Sequence, residues 1–110
     1  VIIPNAVNAI VDIRKLKDYC LNPRHEIGRY KARVFASAHD ISIENAAELA
    51  EILLIAVKSK DAKIRKIDKF GPRYNVDFEW QRGEKKATIR SCWIIKKDTG
   101  IPHLTTCFVL

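Results

Sequence analysis

Between Ser42 and Ser59 the apolar residues Ile43, Ala46, Leu49, Leu53 and Ala56 or Val57 recur at the spacing of one helical face. Ser42 stands just ahead of them as an N-cap, so the pattern predicts a scaffold helix. Its acidic residues Glu44, Glu48 and Glu51 sit in the first half, near the positive end of the helix dipole. Earlier in the chain, Asp12 predicts the cap of a short helix running from Ile13 through Leu16 and Tyr19 to Cys20. The residues before Asp12 fit strand or helix equally. Asn22-Pro23 ends this element, because the residue before a proline is pushed out of the helical region. Gly28 then opens a second helix that is expected to bury Ala32, Val34, Phe35, Ala36 and Ala38 and carries Arg29, Lys31 and Arg33 in its first turns.

Past Asp61 the periodicity changes from helical to alternating. In RYNVDFEW, Tyr74, Val76, Phe78 and Trp80 alternate with Arg73, Asn75, Asp77 and Glu79, the mark of a strand with one buried and one wet face. KIRKID, KATIRSCWIIKK and HLTTCFVL read as three further strands, separated by turn residues in FGP, QRGE and DTGIP. Helices followed by four sequential strands predict an α+β domain, its N-terminal helices packed on one face of a four-stranded antiparallel sheet. The other face is then free to form a cleft. On the third strand, Thr88, Arg90, Cys92, Ile94 and Lys96 share the less apolar side. On the last, Leu104, Thr106, Phe108 and Leu110 read as core, leaving Thr105 beside Arg90. A one-residue bulge would exchange Thr105 for Thr106 and Arg90 for Ser91.

The 110 residues, 47% of them hydrophobic, suit one domain with its own core. No apolar run approaches the roughly 18 residues that a membrane span needs. The absence of methionine at Val1 or anywhere else, and the strand-like CFVL end, lead us to expect the C-terminal piece of a longer polypeptide. Cys20, Cys92 and Cys107 have neither CxxC spacing nor a paired histidine motif, so they are expected to be reduced core residues rather than zinc ligands or a disulfide framework. A net charge of +7 favours anionic partners, nucleic acid first. The excess is concentrated in the sheet half: residues 58–73 hold seven Lys or Arg against two Asp, and residues 82–97 hold six against one Glu.

Cleaving RNA without a metal requires groups that move protons and cations that neutralise the phosphorane, since the 2'-hydroxyl is the substrate's own nucleophile. His25 is a candidate acid or base, Lys31 and Arg90 are candidate phosphate clamps, and Thr105 or Thr106 could hydrogen-bond a non-bridging oxygen. Tyr30 could stack on a base or carry a proton. Arg29, Arg33 and Lys96 add positive charge for RNA, and His103 is the rival proton carrier. No nucleophile elbow, P-loop, zincin or dinucleotide motif occurs. Asp77 and Glu79 with Lys86 leave open a metal-dependent DNase, and the basic surface alone is compatible with a non-catalytic RNA-binding module.

The stretch RKLKDYCLNPRHEIGRYKARVFASA resembles the signature K-L-x-x-Y-x-L-N-P-x-H-x-x-G-x-x-K-A-x-V-F of toxin domains found at the C-terminal ends of bacterial polymorphic and contact-dependent growth inhibition proteins. TIRSCWIIKKDTGIPHLTTCFVL resembles their second block. The helices-then-meander order is similar to the barnase, EndoU, colicin and RelE superfamily of metal-free ribonucleases. That resemblance implies site status for His25, Lys31, Arg90, Ser91, Thr105 and Thr106, no cofactor, and tRNA as the target class. It also implies delivery within a larger secreted or surface protein into a target-cell cytoplasm, an immunity protein expected to be acidic, and in some members a borrowed host translation factor. Tyr30 is a departure, standing where family members often carry histidine.

Overall fold

The computed structural model describes residues 1–110. After a 3-10 turn (Ala6–Asn8), the chain forms α1 (Ile13–Lys15), which widens into a π-helical turn (Leu16–Cys20), then α2 (Arg29–His39) and α3 (Ala46–Ser59). Four strands follow, β1 (Ala62–Asp68), β2 (Gly71–Arg82), β3 (Lys85–Ile95) and β4 (Pro102–Val109). They form one antiparallel sheet in the order β1-β2-β3-β4, as the alternation predicts. No helix is long and apolar enough to cross a membrane.

The caps read from the sequence are present. Asp12 accepts a hydrogen bond from the Arg14 amide at 3.0 Å, and Ser42 and Asn45 form a reciprocal capping box ahead of α3. Leu49, Leu53, Ala56 and Val57 of α3 are buried in one cluster with Val76, Phe78, Trp80, Ile89 and Trp93 on the covered face of the sheet. The segment left open by the sequence, before Asp12, lies along β4: Ile10 bridges His103 in parallel, donating its amide to Pro102 O at 2.9 Å and accepting from the Leu104 amide at 3.0 Å.

The second helix turns differently from the expectation. Its buried positions are Ala32, Phe35 and His39, whereas Val34 and Ala36 face solvent. His39 completes the stripe because Trp80 stacks on its ring at 4.7 Å and the Trp80 carbonyl lies 2.9 Å from Nε2, which lets an imidazole replace an apolar side chain in the core.

The last strand also departs from simple alternation. The β3–β4 register shifts between Cys92 and Trp93, so Thr105 is an extra residue whose hydroxyl donates to Cys92 O at 3.1 Å. Beyond it Cys107 takes a core position, and Thr106 and Phe108, expected inside, pair with Cys92 and Arg90 on the uncovered face.

One contact fixes how the N-terminal segment meets α2. A Cβ on Gly28 would lie 2.1 Å from the Tyr19 carbonyl oxygen, so only glycine lets the π-turn and the helix approach this closely. Gly28→Ala should destabilise the fold by about 1–3 kcal/mol through overpacking, read as a lower urea midpoint with an unchanged slope.

Candidate functional site

The Gly28 contact places Tyr19 beside the start of α2, one turn from Lys31. The Lys31 ammonium donates to Tyr19 Oη at 2.6 Å and to Thr106 Oγ1 at 2.9 Å. It also lies 4.4 Å from the Tyr19 ring centroid and 5.5 Å from that of Phe108. One cation thereby ties the π-turn, α2 and β4 together. Because it fills an acceptor site on each hydroxyl, the Tyr19 O–H is available as a donor and Lys31 keeps a third N–H, while the Thr106 O–H has Cys20 Sγ within reach at 3.7 Å. Such a cluster presents hydrogen-bond donors and a positive charge together.

His25 packs edge-on against Tyr19, with ring centroids 4.9 Å apart. Its Nδ1 accepts the amides of Ile27 at 3.0 Å and Gly28 at 2.9 Å, so the ring fastens the loop that leads into α2 and Nε2 is the nitrogen left free. His25, Tyr19, Thr105 and Thr106 line an open groove of about 580 Å³ together with Asp12, Arg14, Lys15 and Asp18, while Lys31 lines a smaller neighbouring pocket with Tyr30, Val34 and Phe108 and reaches the groove's wall through Tyr19 and Thr106. The Arg14 hydrogen bond holds the Asp12 carboxyl down to about 2, so this acid stays neutralised by its neighbour.

Below Thr106 the Cys20 Sγ lies 3.7 Å from its hydroxyl. The Cys20 thiol is lowered to about 6, first by a hydrogen bond from Cys107 and then by Thr106 and Lys31, against the opposing effect of burial. Cys107 is pushed up by the same hydrogen bond and by its own burial. All three cysteines are free and buried. No group of three His, Cys, Asp or Glu converges as a metal cluster.

His25, Lys31, Thr105 and Thr106 therefore come together, joined by Tyr19, which stands in the quoted motif but was not singled out as a site residue. Lys31 links Tyr19 to Thr106 across the fold, a contact that no local spacing reveals.

Two nominated residues lie elsewhere. Ser91 is fully buried on the helix-covered face, donating to Val76 O at 2.7 Å and accepting from Trp93 Nε1 at 2.9 Å, because the bulge arises on β4 and leaves β3 in register. Arg90 is on the uncovered face, but its guanidinium is engaged by Asp77, its cross-strand partner, at 2.9 and 2.8 Å. That hydrogen bond holds Asp77 below the ordinary carboxylate range, and Arg90 lines a different groove with Lys63, Arg65 and Asn75. Glu79 likewise faces Lys86, at 3.3 Å, so the acids considered for metal binding are paired with cations.

Of the remaining candidates only Tyr30 shares a pocket with Lys31; Arg29 and Arg33 line a separate groove with Leu21, Pro23 and Ile41, and Lys96 lines a third with Phe70. Arg29 donates to Tyr30 Oη at 2.9 Å, Tyr30 is more than half exposed, and Arg33 is exposed further along α2. His103 sits within β4 rather than in a turn. Burial lowers its basicity, helped by Lys96 and then Lys15.

Residues 2–110 match the family model described as Domain of unknown function (DUF6883), and the chain belongs to that family. A chain of the contact-dependent growth inhibition toxin–immunity protein complex from Klebsiella pneumoniae 342 has the same fold, with a TM-score of 0.69 and 19% identity over 92% of this chain and 99% of that one. The α+β architecture and its likeness to contact-dependent growth inhibition toxins, both expected from the sequence, are borne out at the level of fold. No curated protein matches the sequence.

The two hydroxyls should respond unequally to removal. Ser91→Ala orphans a buried indole N–H and should cost about 1–3 kcal/mol, whereas Thr106→Val removes a half-exposed partner and should cost roughly 1 kcal/mol or less. Denaturation midpoints of the two variants give the comparison.

Proposed function

We propose that the chain is a toxin domain of the contact-dependent growth inhibition type, and that it cuts RNA without a metal at the groove lined by His25, Tyr19 and Thr106, where Lys31 bonds the two hydroxyls. The observation that carries this reading is the Lys31 ammonium held between the Tyr19 and Thr106 hydroxyls, with an imidazole packed on the same tyrosine. The fold shared with a chain of a toxin–immunity complex and the net charge of +7 support it.

In this reaction the substrate's 2'-hydroxyl attacks the adjacent phosphorus and loses its proton. The P–O5' bond breaks, a proton passes to the leaving oxygen, and the products are a 2',3'-cyclic phosphate and a 5'-hydroxyl end. Lys31 and the Thr106 hydroxyl neutralise the non-bridging oxygens, where charge develops. His25 is the proposed acid or base, with solvent as its counterpart; because Nδ1 accepts two amides the neutral ring holds its proton on Nε2, so taking up the 2'-hydroxyl proton there requires Nδ1 to release those amides. Tyr19 holds Lys31 in place and offers its own O–H beside it. Arg90, occupied by Asp77, takes no part at the phosphorus.

The substrate we propose is tRNA, reached in a target cell's cytoplasm after delivery within a larger protein. A cognate immunity protein with an acidic surface would cover the groove, because opposite charge speeds association and fixes orientation. The capping role of His25 favours a second reading, an RNA-binding module without chemistry.

Incubation with total tRNA in excess chelator separates these readings. The toxin reading expects cyclic-phosphate ends, a rate about 10²–10⁴ lower for His25→Ala, a comparable loss for Lys31→Met, and near-wild-type cleavage by Arg90→Gln. Intact RNA that still binds in a salt-dependent way would support the binding module, and cleavage only on adding magnesium would overturn the metal-free mechanism.

A further inference from the structure

A second groove, of about 550 Å³, adjoins the first and shares Thr105 with it. It is lined by Lys69, Phe70, Arg73, Lys96 and Lys97, with Asp98 as its acid. Arg73 is bound to Asp68 at 2.8 Å, which leaves the lysines as the cations available to a ligand. Phe70 is 58% exposed at the tip of the β1–β2 turn, an unusual place for a large apolar ring.

The turn that carries Phe70 is firmly held. The Phe70 amide donates to Asp68 Oδ1 at 2.9 Å, and Arg73 Nε grips the other oxygen of that carboxylate. At Gly71, φ is 132° and a Cβ would lie 2.1 Å from Ile95 O, so the backbone is seated against the end of β3 in a conformation that side-chain-bearing residues avoid. With the backbone beneath it held this way, only the side-chain torsions of the ring have to be ordered when something stacks on it. The Lys69 ammonium lies 5.1 Å from its centroid, adding positive charge beside the ring.

We infer that this groove is a nucleotide subsite in which Phe70 stacks on a base of single-stranded RNA while Lys96 and Lys97 meet the flanking phosphates. A ring among cations matches the alternation of base and phosphate along a strand. Thr105, common to both grooves, sets the path from the Lys31 cluster to Phe70. The assignment rests on the reading of that cluster as an RNA site and extends it by at least one nucleotide. An apolar protein partner would suit the ring but not the lysines around it.

The test is fluorescence anisotropy with a short single-stranded 2'-O-methyl oligonucleotide, which binds but cannot be cut. Phe70→Leu should weaken binding about tenfold while Phe70→Trp preserves it. Lys97→Gln should reduce the slope of log affinity against log salt by about 0.7. Equal affinity of the wild type and Phe70→Leu overturns the subsite, and if tRNA is still cleaved the reading of the His25 groove stands. Phe70-dependent binding without any cleavage of tRNA keeps the subsite and removes the ribonuclease. No binding of the oligonucleotide by the wild type overturns the subsite outright.

Discussion

A half-buried ammonium must find acceptors, and where Lys31 finds them determines the geometry of the seam between helices and sheet. Tyr19 and Thr106 belong to segments 87 positions apart in sequence, and the lysine that joins them comes from a third element. The contact is possible only because Gly28 lets the π-turn close on α2 and because the bulge at Thr105 turns Thr106 toward the uncovered face. Removing either condition would leave a lysine without a frame.

Half of the eight arginines are paired with acids, and Arg24, Arg29, Arg33 and Arg65 are not. Arg14, Arg73, Arg82 and Arg90 are each bound to a carboxylate, at 2.8, 2.8, 2.7 and 2.8 Å. Planar guanidinium suits such forked pairing, and these pairs brace the surface more than they stabilise it. Most lysines have no acid within reach, the exceptions being Lys66, 3.9 Å from Asp68, and Lys86, 3.3 Å from Glu79. The charge available to a polyanion is thus largely lysine charge; Lys96 and Lys97 line one of two grooves that meet at Thr105, and Lys31 backs the other through its bond to Thr106.

Much of this was legible in the chain. The capping signals at Asp12 and Ser42 and the alternation in RYNVDFEW locate helices and strands, because both are local properties of the backbone. The side on which Thr106 and Phe108 fall was not legible: LTTCFVL alternates acceptably in either register, and only pairing with β3 reveals the extra residue. Arg90 illustrates the same limit. Its position on the uncovered face followed from periodicity, but its neutralisation by Asp77 depends on cross-strand register. His25 could be singled out as a loop imidazole, while the two amides that occupy Nδ1 are visible only in three dimensions.

We propose Lys31, Tyr19 and Thr106 as an anion site at the seam. Titrating the isotope-labelled protein with inorganic phosphate and following backbone amide shifts tests it most directly. The account predicts saturable shifts centred on Tyr19, Lys31, Thr105 and Thr106 that vanish in Lys31→Met. Shifts confined to the Arg90–Asp77 groove, or a Lys31→Met protein that titrates like the wild type, would contradict it.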